Sequence, residues 1–129
     1  MDLFDHGILF FIFLIMNVLD WLSGWLKARI LKQENSSAGF IGAVKKLANW
    51  FVVFCSFLLS YAFLELGMIL HVDTEIASGL GWLVLISLII NEVRSVLENL
   101  IQCKIKVPNI FIKGLNIADE NIDDYHFKD

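Results

Sequence analysis

The residues able to carry out chemistry are few and scattered. Cys55 and Cys103 have no C-x-x-C spacing, and His6, His71 and His126 stand singly, so neither a zinc-ligand pattern nor a disulfide framework is present. The chain has no GxxxxGK loop, GxGxxG turn, GxSxG elbow or HExxH pair. No catalytic residue, cofactor or metal is therefore expected. What remains is a set of polar residues in apolar company. Asn17, Asp20, Ser23, Gly24 and Lys27 lie in one hydrophobic block, and Ser87, Asn91, Glu92, Arg94, Ser95, Glu98 and Asn99 lie at the polar end of another.

Spacings of three and four put Asn17, Asp20, Gly24 and Lys27 on one side of a helix, with Ser23 beside them. The same spacing gives a second stripe, Ser87, Asn91, Arg94, Ser95, Glu98 and Gln102, flanked by Glu92 and Asn99. An aspartate in mid-span costs roughly 2.5–3.5 kcal/mol on insertion scales, so Asp20 should face protein or water and find a partner. Two readings stand side by side for these faces: buried structural contacts, or residues lining a pore or an oligomer contact. For the second stripe, the plain alternative is a helix that leaves the membrane near Asn91 and continues as a solvated face.

The elements that position these residues follow from composition. In 129 residues, 57% are hydrophobic and 19% charged, with a mean hydropathy of +0.68. That leaves too little polar surface to cover a soluble globule, and the apolar residues fall in three long blocks. A net charge of -4 argues against a nucleic-acid partner. The reading is an all-α membrane protein with a three-span membrane domain over 1–110, spans at about 7–28, 47–70 and 76–97, and an acidic cytoplasmic tail over 111–129. A cleaved signal peptide is not expected, because Asp2 and Asp5 precede the first block while Lys27 and Arg29 follow it.

Between the first two spans, KQENSSAGFIGAVKK (32–46) reads as a loop or interfacial turn. Ser36 or Ser37 can cap the next helix, and Gly39 and Gly42 leave the approach bendable. Gly24 with Ala28, Ser56 with Ser60, and Ala77 with Gly81 are small-residue pairs four apart that favour close helix contacts. Trp21, Trp25, Trp50 and Trp82 lie toward span ends, as interfacial anchors do.

Four blocks in this order resemble the toxin-secretion and phage-lysis holin family. LDWLSGWLKA (19–28) is similar to that family's aspartate, Ser/Thr-Gly and Lys-Ala in the first span. SSAGFIGAVKK (36–46) is similar to its loop, in which Ser36, Ser37, Gly39, Phe40, Gly42, Lys45 and Lys46 carry the match. NEVRSVLEN (91–99) is similar to its Asn-Glu, serine and Leu-Glu-Asn signature, and Val107-Pro108 to its proline exit. The acidic ADENIDDYHFKD (118–129) departs from the basic ending of many holins.

The resemblance implies a protein of the bacterial host's cytoplasmic membrane that associates with itself among membrane lipid. It implies lesions that release an endolysin, for host cell lysis by a phage or prophage, or a secreted toxin. Two other readings remain open: a small ion channel or proton-coupled transporter subunit using Asp20 or Glu92, and a passive membrane scaffold.

Two expectations can be checked. Asp20 and the 91–94 segment lie at similar distances from the starts of spans that run the same way, so Asp20 is expected to pair with Arg94, within one chain or between neighbours. Lys27, Arg29, Lys32, Lys45 and Lys46 surround the first connection and no Lys or Arg lies in the second, which places the N-terminus outside and the C-terminus inside. Cysteines introduced at Asp73 and Lys113 report this directly. The first should react with an impermeant maleimide in intact cells, the second only after permeabilisation, and the reverse pattern would overturn the topology.

Overall fold

The computed structural model describes residues 3–33 and 36–115, with side chains over 6–33 and 37–115; the acidic 118–129 segment lies outside the described residues. The described chain is all helical. Its elements are α1 (Leu3–Ile30), α2 (Ser36–Leu70), the single turn α3 (Glu75–Ser78), α4 (Leu80–Gln102) and the short α5 (Asn109–Gly114). Three of these, over His6–Ile30, Ser37–Leu70 and Leu80–Gln102, are long and apolar enough to cross a membrane.

The helix α2 begins at Ser36, so residues 36–46 are helical rather than a loop. Gly39 and Gly42 each cost about 1 kcal/mol relative to alanine, and the chain between Ser36 and Leu70 contains no proline to stop propagation. At 35 residues, α2 is about 52 Å long against a hydrocarbon thickness of about 30 Å. Its first turns therefore run beyond the apolar layer or tilt with it, and Lys46 stands on a continuous helix face.

Helices α1 and α4 run in parallel, and α2 runs antiparallel to both. The register is visible in layers. At one end Phe10, Phe57 and Trp82 meet, with the Phe57 and Trp82 rings 4.9 Å apart and perpendicular, and His6 edge-on to Trp82 at 5.5 Å. The next layer is the buried cluster of Phe13, Val53, Leu85 and Ile89, with Trp50 against Phe13 at 4.8 Å. Trp50 and Trp82 are thus packing residues of the bundle, whereas Trp21 and Trp25 are about half exposed. Outside these layers the helices present large apolar side chains such as Phe11, Phe51, Phe54 and Leu83, the surface that hydrocarbon would cover.

Two glycines permit close approaches. The Gly81 N–H donates to Ser60 Oγ at 2.8 Å, satisfying one of the orphan donors at the start of α4. A β-carbon at Gly81 would lie 2.7–3.0 Å from Phe57 ring atoms. At Gly67 a β-carbon would lie 2.8 Å from the Val72 carbonyl, which returns over α2 after the helix ends. The three long helices share one ending: Lys32, His71 and Lys104 adopt left-handed φ of 56°, 56° and 65°. The following N–H groups then bond back five residues, Gln33 to Ala28, Val72 to Gly67 and Ile105 to Leu100.

Replacing Gly81 by alanine should push Phe57 out of its packing with Phe10 and Trp82 and destabilise the bundle by about 1–3 kcal/mol. Ser60→Ala, which strands the Gly81 N–H, should cost about 1–3 kcal/mol. Unfolding in mixed detergent–SDS micelles, followed by tryptophan fluorescence, measures both, and an unchanged midpoint for both variants would show that this contact does not hold α2 to α4.

Candidate functional site: a buried charged layer

Beyond the apolar layers the interior becomes polar. The α1 carboxylate of Asp20 accepts at Oδ1 from Ser95 Oγ (2.7 Å) and Asn99 Nδ2 (3.2 Å), both on α4, and at Oδ2 from Lys46 Nζ on α2. Lys46 Nζ also donates to Glu92 Oε2 of α4 at 2.7 Å. One turn further, Asn99 Nδ2 donates to Ser23 Oγ at 3.0 Å, and Ser23 Oγ donates to the Asp20 carbonyl at 3.0 Å. Gly24 leaves room here, its missing β-carbon 3.7 Å from Asn99 Nδ2. Asn17, Ser23 and Glu92 are buried, and Asp20 and Lys46 nearly so.

Electrostatically the layer holds two carboxylates and one ammonium. A pair this far from water gains from a low dielectric but must offset the desolvation of each ion, and it does so only when remaining lone pairs are satisfied. Ser95 and Asn99 supply those hydrogen bonds to Asp20. Asn17 is the exception: it is 6% exposed, and neither Nδ2 nor Oδ1 has a hydrogen-bond partner among the described residues. It sits between the Phe13 layer and Asp20 on α1, an unsatisfied amide of the kind that costs about 1–3 kcal/mol.

The structure distributes the sequence-predicted residues unevenly. It brings together Asp20, Ser23, Gly24, Glu92, Ser95, Asn99 and Lys46. Ser87 and Asn91 lie on the exposed side of α4, where Ser87 Oγ donates to its own helix at the Leu83 carbonyl. The inward face of α4 is therefore centred on Glu92 and Asn99, which the stripe reading put at its flanks. Lys27, Arg94 and Glu98 are half-buried, and Gly39, Phe40 and Lys45 are exposed on α2 with Gly42 half-buried.

The expected Asp20–Arg94 pairing does not occur within the chain. Arg94 Nε donates to the Leu115 carbonyl at 2.7 Å, and Asp20 is paired with Lys46 instead. Asp20 meets α4 at Ser95, one residue beyond Arg94. The rotation of α4 turns Glu92 and Ser95 toward α1, and the Lys46 stem reaches across from α2. Among the described residues, no group of three or more His, Cys, Asp or Glu is placed to hold a metal ion.

Among the described residues, the fold and this layer define an all-helical integral membrane protein with three helices long enough to cross a bilayer and a buried polar interior. Residues 4–120 match the bacteriophage holin family, and the chain belongs to that family. A curated relative, "Probable holin" of Bacillus phage phi105, is 26% identical over 116 residues, covering 90% of this chain and 78% of the relative. No solved structure matches.

If Lys46 bridges the layer, Lys46→Met leaves two buried carboxylates without a cation and should destabilise the bundle by about 3–5 kcal/mol. Adding Asp20→Asn and Glu92→Gln to that variant should recover most of the loss. Arg94→Gln, which gives up one bond to a carbonyl, should cost about 1 kcal/mol. Equal losses for Lys46→Met and Arg94→Gln in the same SDS titration would remove Lys46 from its bridging role.

Proposed function

We propose that this chain is a holin of the bacterial cytoplasmic membrane, with its N-terminus outside and its C-terminus inside, that self-associates and opens lesions through which an endolysin leaves to lyse the host. The observation that carries this reading is the Asp20–Lys46–Glu92 layer, buried between three lipid-exposed helices in a chain of the holin family. Release of a secreted toxin through the same lesion is the equivalent use of the device. Orientation rests on basic residues: with Lys46 engaged inside the bundle, Lys27, Arg29, Lys32 and Lys45 still surround the first connection against none in the second.

The layer suits a two-state protein. In the closed bundle each ionised group finds its partner within the chain, so subunits can accumulate with apolar faces toward lipid and toward each other. If α1 parts from α4, water reaches the same groups and returns the desolvation cost of burying them, so the open arrangement is close in energy to the closed one. Asp20, Ser23, Lys46, Glu92, Ser95 and Asn99 then become a hydrophilic wall, and the unsatisfied Asn17 amide gains water, which biases the same step.

The buried carboxylates also favour a second reading, a small cation channel or proton-coupled transporter subunit, for which saturable flux without killing is the signature. Controlled expression in a bacterium distinguishes the two. Growth should stop abruptly with collapse of the membrane potential, and a co-expressed cytosolic endolysin should convert arrest into lysis. The charge swap Asp20→Lys with Lys46→Asp should retain more of the wild-type timing than either single change. Full accumulation with potential and viability unchanged would overturn the holin reading.

A further inference from the structure

The segment after α4 does not trail away from the bundle. Lys104 turns the chain in the left-handed region, residues 105–108 have no regular secondary structure, and the segment through α5 packs back on the end of α4. Val107 and Ile112 are buried against Ile101, with Leu97, Leu100 and Leu115 around them, a second small core separate from the one between the spans. Arg94 closes the fold-back by donating to the Leu115 carbonyl at 2.7 Å. Arg94 lies eight residues, about 12 Å, before the end of α4, and its long side chain covers part of that distance to Leu115.

With α4 across a bilayer, its length gives the depth of α5. The 23 residues of α4 extend about 34 Å, a little more than the hydrocarbon layer, so its last turns lie at the boundary between acyl chains and headgroups. The outer side of the fold-back at this depth is apolar. Ile110 is 75% exposed, and Phe111 and Ile105 are also exposed. Lys104 and Lys113 stand exposed at the two ends of the same stretch. From Gln102 to Leu115 the sequence contains no acidic residue. Apolar side chains flanked by lysines, held at the headgroup level, match an anionic leaflet in both polarity and charge.

We propose that the outer face of the fold-back, Ile105, Ile110 and Phe111 with Lys104 and Lys113, is a binding surface for anionic phospholipid. The apolar side chains enter the acyl boundary, and the two ammonium groups meet phosphates. Because Arg94 and the small core couple α5 to α4, lipid contact at this face anchors the inward helix of the charged layer in depth. The proposal needs the chain to span a membrane and does not depend on lysis.

The test uses the full chain with Cys55→Ser and Cys103→Ser, carrying an environment-sensitive NBD label at Ile110→Cys or, as a second site, Phe111→Cys. It is reconstituted in vesicles of phosphatidylcholine alone or mixed with phosphatidylglycerol. The label should emit at shorter wavelength than in water, be quenched by a nitroxide at a shallow acyl position, and resist aqueous iodide. The blue shift should be larger in the phosphatidylglycerol mixture, and that difference should be lost in high salt and in the Lys104→Ser, Lys113→Ser double variant. Ready quenching by iodide in both lipids would show a face turned to solution and overturn the proposal. Shielding from both quenchers, whatever the lipid, would assign the face to protein, a second copy or residues 116–129, and overturn it equally.

Discussion

One ammonium group shared between two carboxylates on different helices is the constraint on which the bundle depends. Lipid is as apolar as leucine, so three hydrophobic helices gain little by burying one another's side chains, and close packing and interhelical hydrogen bonds must supply the cohesion. Lys46 supplies it where it matters. Through Asp20 it ties α2 to α1, and through Glu92 it ties α2 to α4, while Ser95 and Asn99 join α1 to α4 directly. A single displaced turn of α2 would carry Lys46 about 5 Å out of reach of both carboxylates. The ion pairs therefore set the register that the aromatic layer then fills.

The interior changes from apolar to polar along the bundle. Rings of Phe10, Phe57 and Trp82 give way to Phe13, Leu85 and Ile89, then to the Asn17 amide, then to full charges, and finally to the Ser23–Asn99 pair. The apolar end is locked by steric fit at Gly81, where even one methyl group meets Phe57. The charged end is held by interactions that water can replace. The Asn17 amide lies at the boundary between the two regimes.

Membership in the holin family and the buried charged layer constrain the function from different sides. The family relation supplies the class of protein. The layer shows how the ionised groups of such a protein are satisfied internally while its outer surface stays apolar.

Much of this was legible in the residues. Hydropathy and length alone marked three helices able to cross a bilayer, because a crossing demands about 20 apolar residues. Their ends differ from the expected bounds, α2 starting at Ser36 and α4 at Leu80. The cost of a charge in hydrocarbon was enough to mark Asp20 as a residue with a partner, and helical spacing put Ser23 and Gly24 on its face. The spacing along α4 left two adjacent faces open, and only packing against α1 chose the one bearing Glu92, Ser95 and Asn99 over the one bearing Ser87 and Asn91. Lys46 read as part of a basic connection because its neighbours are glycines, serines and another lysine; its partners lie 26 and 46 positions away. Arg94 was drawn off by the fold-back of α5, a contact 21 positions distant that no local pattern signals. Sequence period fixes which residues of one helix share a face. Which faces meet, and at what height, depends on the rotation and register of separate helices, and those are set by the sum of all contacts between them.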